Sequence, residues 1–481
     1  MKLKLSIRIT NKLRPHHTHY DKPKQSHMKY TISFKTDVRP LLNLAAPLAL
    51  NGLILSAPWF FETLFLAHLG PTILAAGSLV SWLYGTLNVI LFGTLSAINI
   101  LVAHEHGAKN QENIALIARD GLVLAVMLAM VAFMLLWNGA QILLLFGQPP
   151  SIVALASSYL HPLAWSVVAN FLFIACLEVL VGVGYTQIVL LFSIITTLLI
   201  VICSYVLIFG KWGFPALGIA GAGWGMAISD WITIIALFAY ISCFKKYRIY
   251  FRKIFHISRL SYLIELLRIG FPIGFMYCAE VAFFFVLALM MGVLGSEMQA
   301  ANQIALQYLG IFISMIFSIA QAVTVRMGHL IGANERRAAE KAGYVGIVIA
   351  ALMMSMVAVI YWVSPRLLIS VDIDIYNPVN FSLLSQIESL LAISAIFQIF
   401  EAIRISFFGA LRALKDTRFT MFVSILSFWC IALPAGYIFA IPLHIGATGF
   451  WYGMVLGAAV SVFLLQWRFQ WKIASDAGVD R

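Results

Sequence analysis

Gly218-Ile219-Ala220-Gly221-Ala222-Gly223-Trp224-Gly225-Met226 returns later in the chain as Gly446-Ala447-Thr448-Gly449-Phe450-Trp451-Tyr452-Gly453-Met454, with Gly218, Gly221, Gly225 and Met226 in register with Gly446, Gly449, Gly453 and Met454. Working outward, a nearly equal offset lays Pro47 on Pro272, Gly70 on Gly295, Ala75-Ala76 on Ala300-Ala301 and Gly107-Ala108 on Gly332-Ala333. The chain reads as two copies of one helical unit. Parallel duplication of membrane-spanning helices is a recurrent plan of secondary transporters, whose halves rock about a central site. Transport is therefore indicated before any chemical motif is read.

Composition supplies the membrane. Hydrophobic residues make up 62% of the chain and charged residues 11%, with mean hydropathy +0.92, whereas charged residues alone are about 25% of a soluble protein. Twelve apolar runs, near 43–68, 77–103, 117–137, 152–182, 189–209, 217–243, 265–294, 300–330, 342–363, 383–411, 419–440 and 446–469, have the length that crosses the hydrocarbon core. The prediction is an all-α integral membrane protein of twelve spans in two pseudo-symmetric six-helix lobes. A basic tail occupies 1–40, the lobes 41–244 and 265–470, a basic linker 245–264 and a C-terminal tail 471–481.

The net charge of +12 reports topology and not nucleic acid. Of the 32 Lys and Arg, all but Lys211, Arg366 and the intrahelical Arg404 fall on one side of the predicted spans. The positive-inside rule puts that side, with both termini, in the cytoplasm, which an even number of spans allows. The first 40 residues lack the apolar core of a cleaved signal. Their His16-His17-x-His19 reads as a solvated run, not a metal site. Met28 stands at a start codon's usual distance from the first span, and N-terminal sequencing of the native protein tests whether the chain starts there. Cys176, Cys203, Cys243, Cys278 and Cys430 have no paired spacing, so neither a disulfide framework nor a metal site follows.

Ionisable groups at membrane depth mark function, because each costs at least about 2.5 kcal/mol to insert. Glu280 and Glu401 fall near the midplane of the second half, Glu62 in the outer part of the first span and Asp230 midway along the sixth. Glu178, near the cytoplasmic end of the fourth, is the weakest candidate, while Glu388, Asp372 and Asp374 read as interfacial. Arg404 lies one turn from Glu401, where the two could neutralise each other. Glu280 has no basic neighbour in sequence and must be protonated or paired across helices. A carboxylate that takes up an ion in one orientation and releases it in the other is what an antiporter needs.

Pro47, Pro58, Pro272 and Pro434 lie inside spans, and the equivalence of Pro47 and Pro272 predicts symmetric bends. His161-Pro162 reads as a local kink. Aromatics cluster in spans one, two, seven and eight, among them Trp59, Tyr84, Tyr277 and Phe284, and suit amphipathic organic cations.

The chain also resembles a family. Gly270-Phe271-Pro272-Ile273-Gly274 through Glu280 to Leu294-Gly295 and Ala301-Asn302-Gln303-Ile304-Ala305 is similar to the NorM-type branch of the multidrug and toxic compound extrusion (MATE) family. So are Gly409-Ala410-Leu411-Arg412-x-x-Lys415-Asp416-Thr417-Arg418, Leu433-Pro434-x-Gly436-Tyr437, Glu62-Thr63-x-x-x-Ala67-His68-Leu69-Gly70 and Phe209-Gly210-Lys211-Trp212-Gly213. The resemblance implies a V-shaped monomeric exporter of organic cations and drugs in exchange for Na⁺ or H⁺, in the cytoplasmic (inner) membrane. It puts cation coupling at Glu280, Glu401 and Glu62, and substrate contact at Gln303, with Tyr277, Phe284 and Asp230 as further candidates. Ile200 and Ser204 stand where family members often carry Asn, which thins the first lobe's polar network, and Asp230 is the candidate to compensate. No cofactor, enzyme chemistry or nucleic-acid partner is expected. The rival reading is a flippase for a lipid-linked saccharide, but such a protein needs a basic cavity for phosphates, and only Arg404 is basic within a helix.

Overall fold

The computed structural model describes residues 2–5, 30–254 and 259–478. The His16-His17-x-His19 run and Met28 lie outside them. The described residues hold twelve helices long and apolar enough to cross a membrane: α1 Phe34–Ala67, α2 Pro71–Gly107, α3 Gln111–Trp137, α4 Pro150–Val183, α5 Thr186–Phe209, α6 Ile219–Cys243, α7 Leu263–Leu294, α8 Ser296–Gly332, α9 Arg336–Val363, α10 Pro378–Ala413, α11 Thr417–Ala440 and α12 Ala447–Ser475. The all-α, twelve-span expectation is met. Beyond the spans, the described residues include a short antiparallel pair in the tail, Lys2–Leu5 against Tyr30–Ser33, and short helices at Gly139–Leu145 and Pro365–Ile369.

The repeated glycines explain the pairing inside each lobe. A Cβ on Gly221 of α6 would sit 2.6 Å from the Ile208 amide of α5, and one on Gly225 2.6 Å from the Ser204 backbone. Their counterparts do the same in the second lobe, where Gly449 meets the Ala440 amide at 2.5 Å and Gly453 the Gly436 amide at 2.5 Å. Small residues at such a spacing let two backbones touch where lipid supplies no hydrophobic drive. The turns before α2 and α8 are also copies: Gly70 (φ +118°) and Gly295 (φ +131°) both take a conformation that a side chain disfavours.

The equivalent Pro47 and Pro272 sit alike in their helices, and the irregularities lie at the other two prolines. Pro47 and Pro272 both lie within unbroken helix, whereas the first span breaks at Leu55 and Ser56, just before Pro58. Pro434 follows a π-helical stretch, Leu426–Ala432. Because proline has no N–H, it frees a carbonyl one turn back, and the helix widens there.

The lobes join at the end that carries the loops 108–110, 184–185, 333–335 and 414–416. His104 in the last turn of α2 bonds the carbonyl of Ala413, the last residue of α10, at 2.7 Å, and His329 in the last turn of α8 bonds the carbonyl of Gly182 in the last turn of α4 at 2.7 Å. A carbonyl only accepts, so each Nε2 carries the proton. The second helix of each half thus caps the fourth helix of the other, satisfying one of the carbonyls that a helix C-terminus leaves open. Asp37 with Lys341 (2.7 Å) and Gln321 with Glu178 (3.3 Å) also cross here. At the opposite end no hydrogen bond joins the lobes among the described residues. The short helix Lys245–Phe251 starts the linker, and Asp120 of α3 accepts the Tyr262 amide at 2.7 Å where α7 begins.

Candidate functional site

In the second lobe the sequence's two midplane carboxylates come together around Arg404. Its Nε donates to Glu401 Oε2 at 2.8 Å, its Nη2 to Glu401 Oε1, and its Nη1 to Glu280 Oε1 at 2.8 Å. The Ser424 hydroxyl on α11 adds a donor to Glu280 at 2.6 Å. The rings of Phe408 and Phe428 lie 4.6 and 4.7 Å from the guanidinium carbon. Phe428 belongs to the π-helical stretch, so the widened turn ahead of Pro434 presents it. Arg404 is 1% exposed, Glu401 4% and Glu280 9%. Of the two states the sequence allowed for Glu280, the structure shows pairing across helices. Breaking a buried pair from one side costs about 3–5 kcal/mol because the other charge is stranded: losing Arg404 would strand two carboxylates, whereas losing Glu280 alone leaves Arg404 paired with Glu401. One turn earlier on α10, Gln398 is fully buried with neither amide atom partnered.

The first lobe holds a different arrangement. Glu62 accepts the hydroxyl proton of Tyr159, which also approaches the Met226 sulfur at 3.9 Å, and Glu62 Oε2 is buried without a partner. Asp230 accepts from Ser166 at 2.5 Å. Ser166 leads at 3.5 Å to Tyr84, whose hydroxyl accepts from Asn170 at 3.3 Å, and Asn170 donates to Asn88 at 2.8 Å. Trp59 packs on Tyr84 with ring centroids 5.8 Å apart. Glu62 and Asp230 are 4% and 5% exposed, and among the described residues neither has a basic partner. The first-lobe network is therefore present, though not on α5: Ile200 is buried, and the Ser204 hydroxyl is buried and unpartnered against Gly225.

The remaining candidates scatter. Phe284 is half-buried beside Phe283 (5.4 Å) and Phe428 (6.3 Å), on the rim of the triad. Tyr277 faces the other lobe: a Cβ on Gly93 of α2 would lie 2.6 Å from its ring, and its hydroxyl accepts from Arg412 at 3.0 Å. Gln303 is exposed, while its neighbour Asn302 is buried and accepts the Trp451 indole proton at 3.1 Å. Glu178, ranked last on depth, lies in the seam between lobes with Asn99 and Gln321 as donors. Arg412, read from sequence as one more charge on the cytoplasmic side, is 9% exposed, its guanidinium laid over the Tyr277 ring.

Sequence reasoning passed over Tyr159, Ser166 and Asn170, which are uncharged residues in an apolar run and give no signal of depth or partner. It also passed over His104 and His329. These two do have a signal, because the offset that aligns Gly107 with Gly332 aligns them as well.

Comparison with known proteins agrees with this architecture. The family model described as MatE matches residues 47–206 and 272–438, one stretch in each lobe. The chain belongs to the MatE family. A probable multidrug resistance protein NorM of Pseudomonas putida is 34% identical over 91% of this chain and 95% of its own length. The multidrug resistance protein NorM of Burkholderia vietnamiensis is 33% identical over 91% and 95%. Among solved structures, a MATE transporter in the bent conformation superposes with a TM-score of 0.82 at 18% identity, covering 91% of this chain and 96% of that one. The eukaryotic MATE transporter AtDTX14 gives 0.78 at 19% identity, covering 92% and 98%. The MatE fold thus extends over both lobes of this multi-pass membrane protein.

Proposed function

We propose that this MatE protein exports amphipathic, often cationic organic compounds across the cytoplasmic (inner) membrane in exchange for H⁺ or Na⁺, as a monomer working by alternating access. The observation that carries the reading is the pair of buried carboxylates, Glu62 and Asp230, held by hydroxyls alone beside the aromatic rings of Trp59 and Tyr84. Buried charge without a resident partner calls for a cation from outside, and aromatic faces beside it suit an organic one. The names of the NorM relatives agree. With both termini placed in the cytoplasm by the positive-inside rule, the seam capped by His104 and His329 closes the cytoplasmic side, and the arrangement is outward-facing. Phe284 and Asp230 keep their proposed contact with substrate, while Tyr277 is assigned to the seam. A flippase for a phosphate-bearing lipid is disfavoured, because the intrahelical guanidinium of Arg404 is spent on two carboxylates.

The test is efflux of ethidium from proteoliposomes under an imposed pH or Na⁺ gradient. Flux that follows one of the gradients is expected. Flux indifferent to both would overturn antiport.

A further inference from the structure

The carboxylate pair that sequence placed first for ion coupling already contains a cation. We propose that Arg404 is a resident counter-ion that closes the Glu280–Glu401 pair to the coupling ion and so assigns ion coupling to Glu62 and Asp230 in the first lobe. The inference rests on the antiport reading and narrows it.

Three observations carry it. First, the guanidinium occupies the place between the two carboxylates, donating to both oxygens of Glu401 and to Oε1 of Glu280, while its Nη1 also lies 3.4 Å from the Ser424 hydroxyl. A Na⁺ entering there would meet like charge within a few ångströms and would displace hydrogen bonds it could not replace. Second, a guanidinium does not deprotonate in proteins. The site is therefore not vacated by titration, as a lysine's could be, and the packed rings of Phe408 and Phe428 leave Arg404 1% exposed. Third, the first lobe has the opposite character. Glu62 and Asp230 are equally buried and receive only hydroxyl hydrogen bonds, and one oxygen of Glu62 has no partner. An ion arriving there meets no basic side chain among the described residues. Arg404 thereby acts as a specificity-determining residue: it decides which lobe meets the ion.

The experiment compares wild type, Glu62→Gln, Asp230→Asn, Glu280→Gln and Arg404→Gln in proteoliposomes, reading ethidium efflux with and without the driving gradient. Glu280→Gln keeps an acceptor for Arg404 and Ser424 and leaves the two-oxygen pairing of Arg404 with Glu401 intact, so it is expected to fold and to retain ion-driven efflux within about threefold. Glu62→Gln and Asp230→Asn should each lose at least about tenfold of the ion-driven component while still passing ethidium down its own gradient. A binding readout accompanies transport: thermal unfolding in NaCl against KCl. Removing the guanidinium should give Arg404→Gln a Na⁺-specific rise in Tm beyond wild type, and adding Glu280→Gln should abolish it. Loss of ion-driven efflux in Glu280→Gln overturns the proposal whatever the first-lobe variants do, and so does its retention in both Glu62→Gln and Asp230→Asn. If Arg404→Gln fails to fold, Glu280→Gln decides alone. Wild type without gradient-dependent flux would instead sink the antiport reading itself.

Discussion

Replacing His104 and His329 together with Phe should open the seam between the lobes. Each imidazole N–H caps a helix-end carbonyl across the lobes at 2.7 Å, and parting the lobes there would break both contacts. Phe keeps a ring in the space, including the one that packs 4.8 Å from His106, and removes the donor. In the closed state the carbonyls of Gly182 and Ala413 are then buried and unpaired, whereas in the open state water reaches them. The penalty on the closed state is about 1–3 kcal/mol for each orphaned carbonyl, and the two sites share no partner, so the effects should add. The sum, about 2–6 kcal/mol, is a shift of at least roughly thirtyfold toward open, with about 1.4 kcal/mol for each factor of ten. Double electron–electron resonance between spin labels at exposed Gln111 and Glu335, in a cysteine-free background, reads the distance between the lobes at that end. A long-distance population should grow in each single variant and dominate in the double. A double variant that folds and gives the wild-type distance distribution would refute the capping argument.

Two further predictions concern packing. Gly221→Ala and Gly449→Ala should each lower the thermal stability of the purified protein by the cost of overpacking, about 1–3 kcal/mol, because the new methyl meets neighbouring backbone at 2.5–2.6 Å; Gly310→Ala, which has open space around its Cβ, should be neutral or stabilising by about 0.5–1 kcal/mol. Arg412→Leu strips Tyr277 of its partner and should destabilise the closed seam by about 1–3 kcal/mol, read as faster hydrogen exchange in α7 around Tyr277 and in the facing turn of α2 around Gly93.

The fold was legible because its signals repeat. Length, hydropathy and the doubled glycine stripe act at every span, and the glycines mean the same contact in α5 with α6 as in α11 with α12. The site was only half legible. Carboxylates at membrane depth announce themselves, and Glu62, Asp230, Glu280 and Glu401 are all buried where expected. What they bond to did not, since the partners come from other helices at large sequence separation: Tyr159 for Glu62, Ser166 for Asp230, and Arg404 for Glu280. Arg404 shows the difference plainly. Its pairing with Glu401 follows from helical spacing, but its second arm, which reaches Glu280, depends on how α7 packs against α10. Depth put Glu178 and Arg412 correctly near span ends, but such positions say nothing of the lobe packed against them.

The exchange of histidine caps has a consequence for how such a chain can be assembled. Residue i of one unit bonding residue j of the other, while j's counterpart receives i's, is the signature of an isologous two-fold interface. Here that self-complementary surface is folded inside one polypeptide, with the segment after α6 serving as a covalent tether that fixes the stoichiometry and raises the effective concentration of each half for the other. Two polypeptides severed within that tether retain complementary surfaces, so coexpressed halves should find each other and pair in the order the uncut chain imposes.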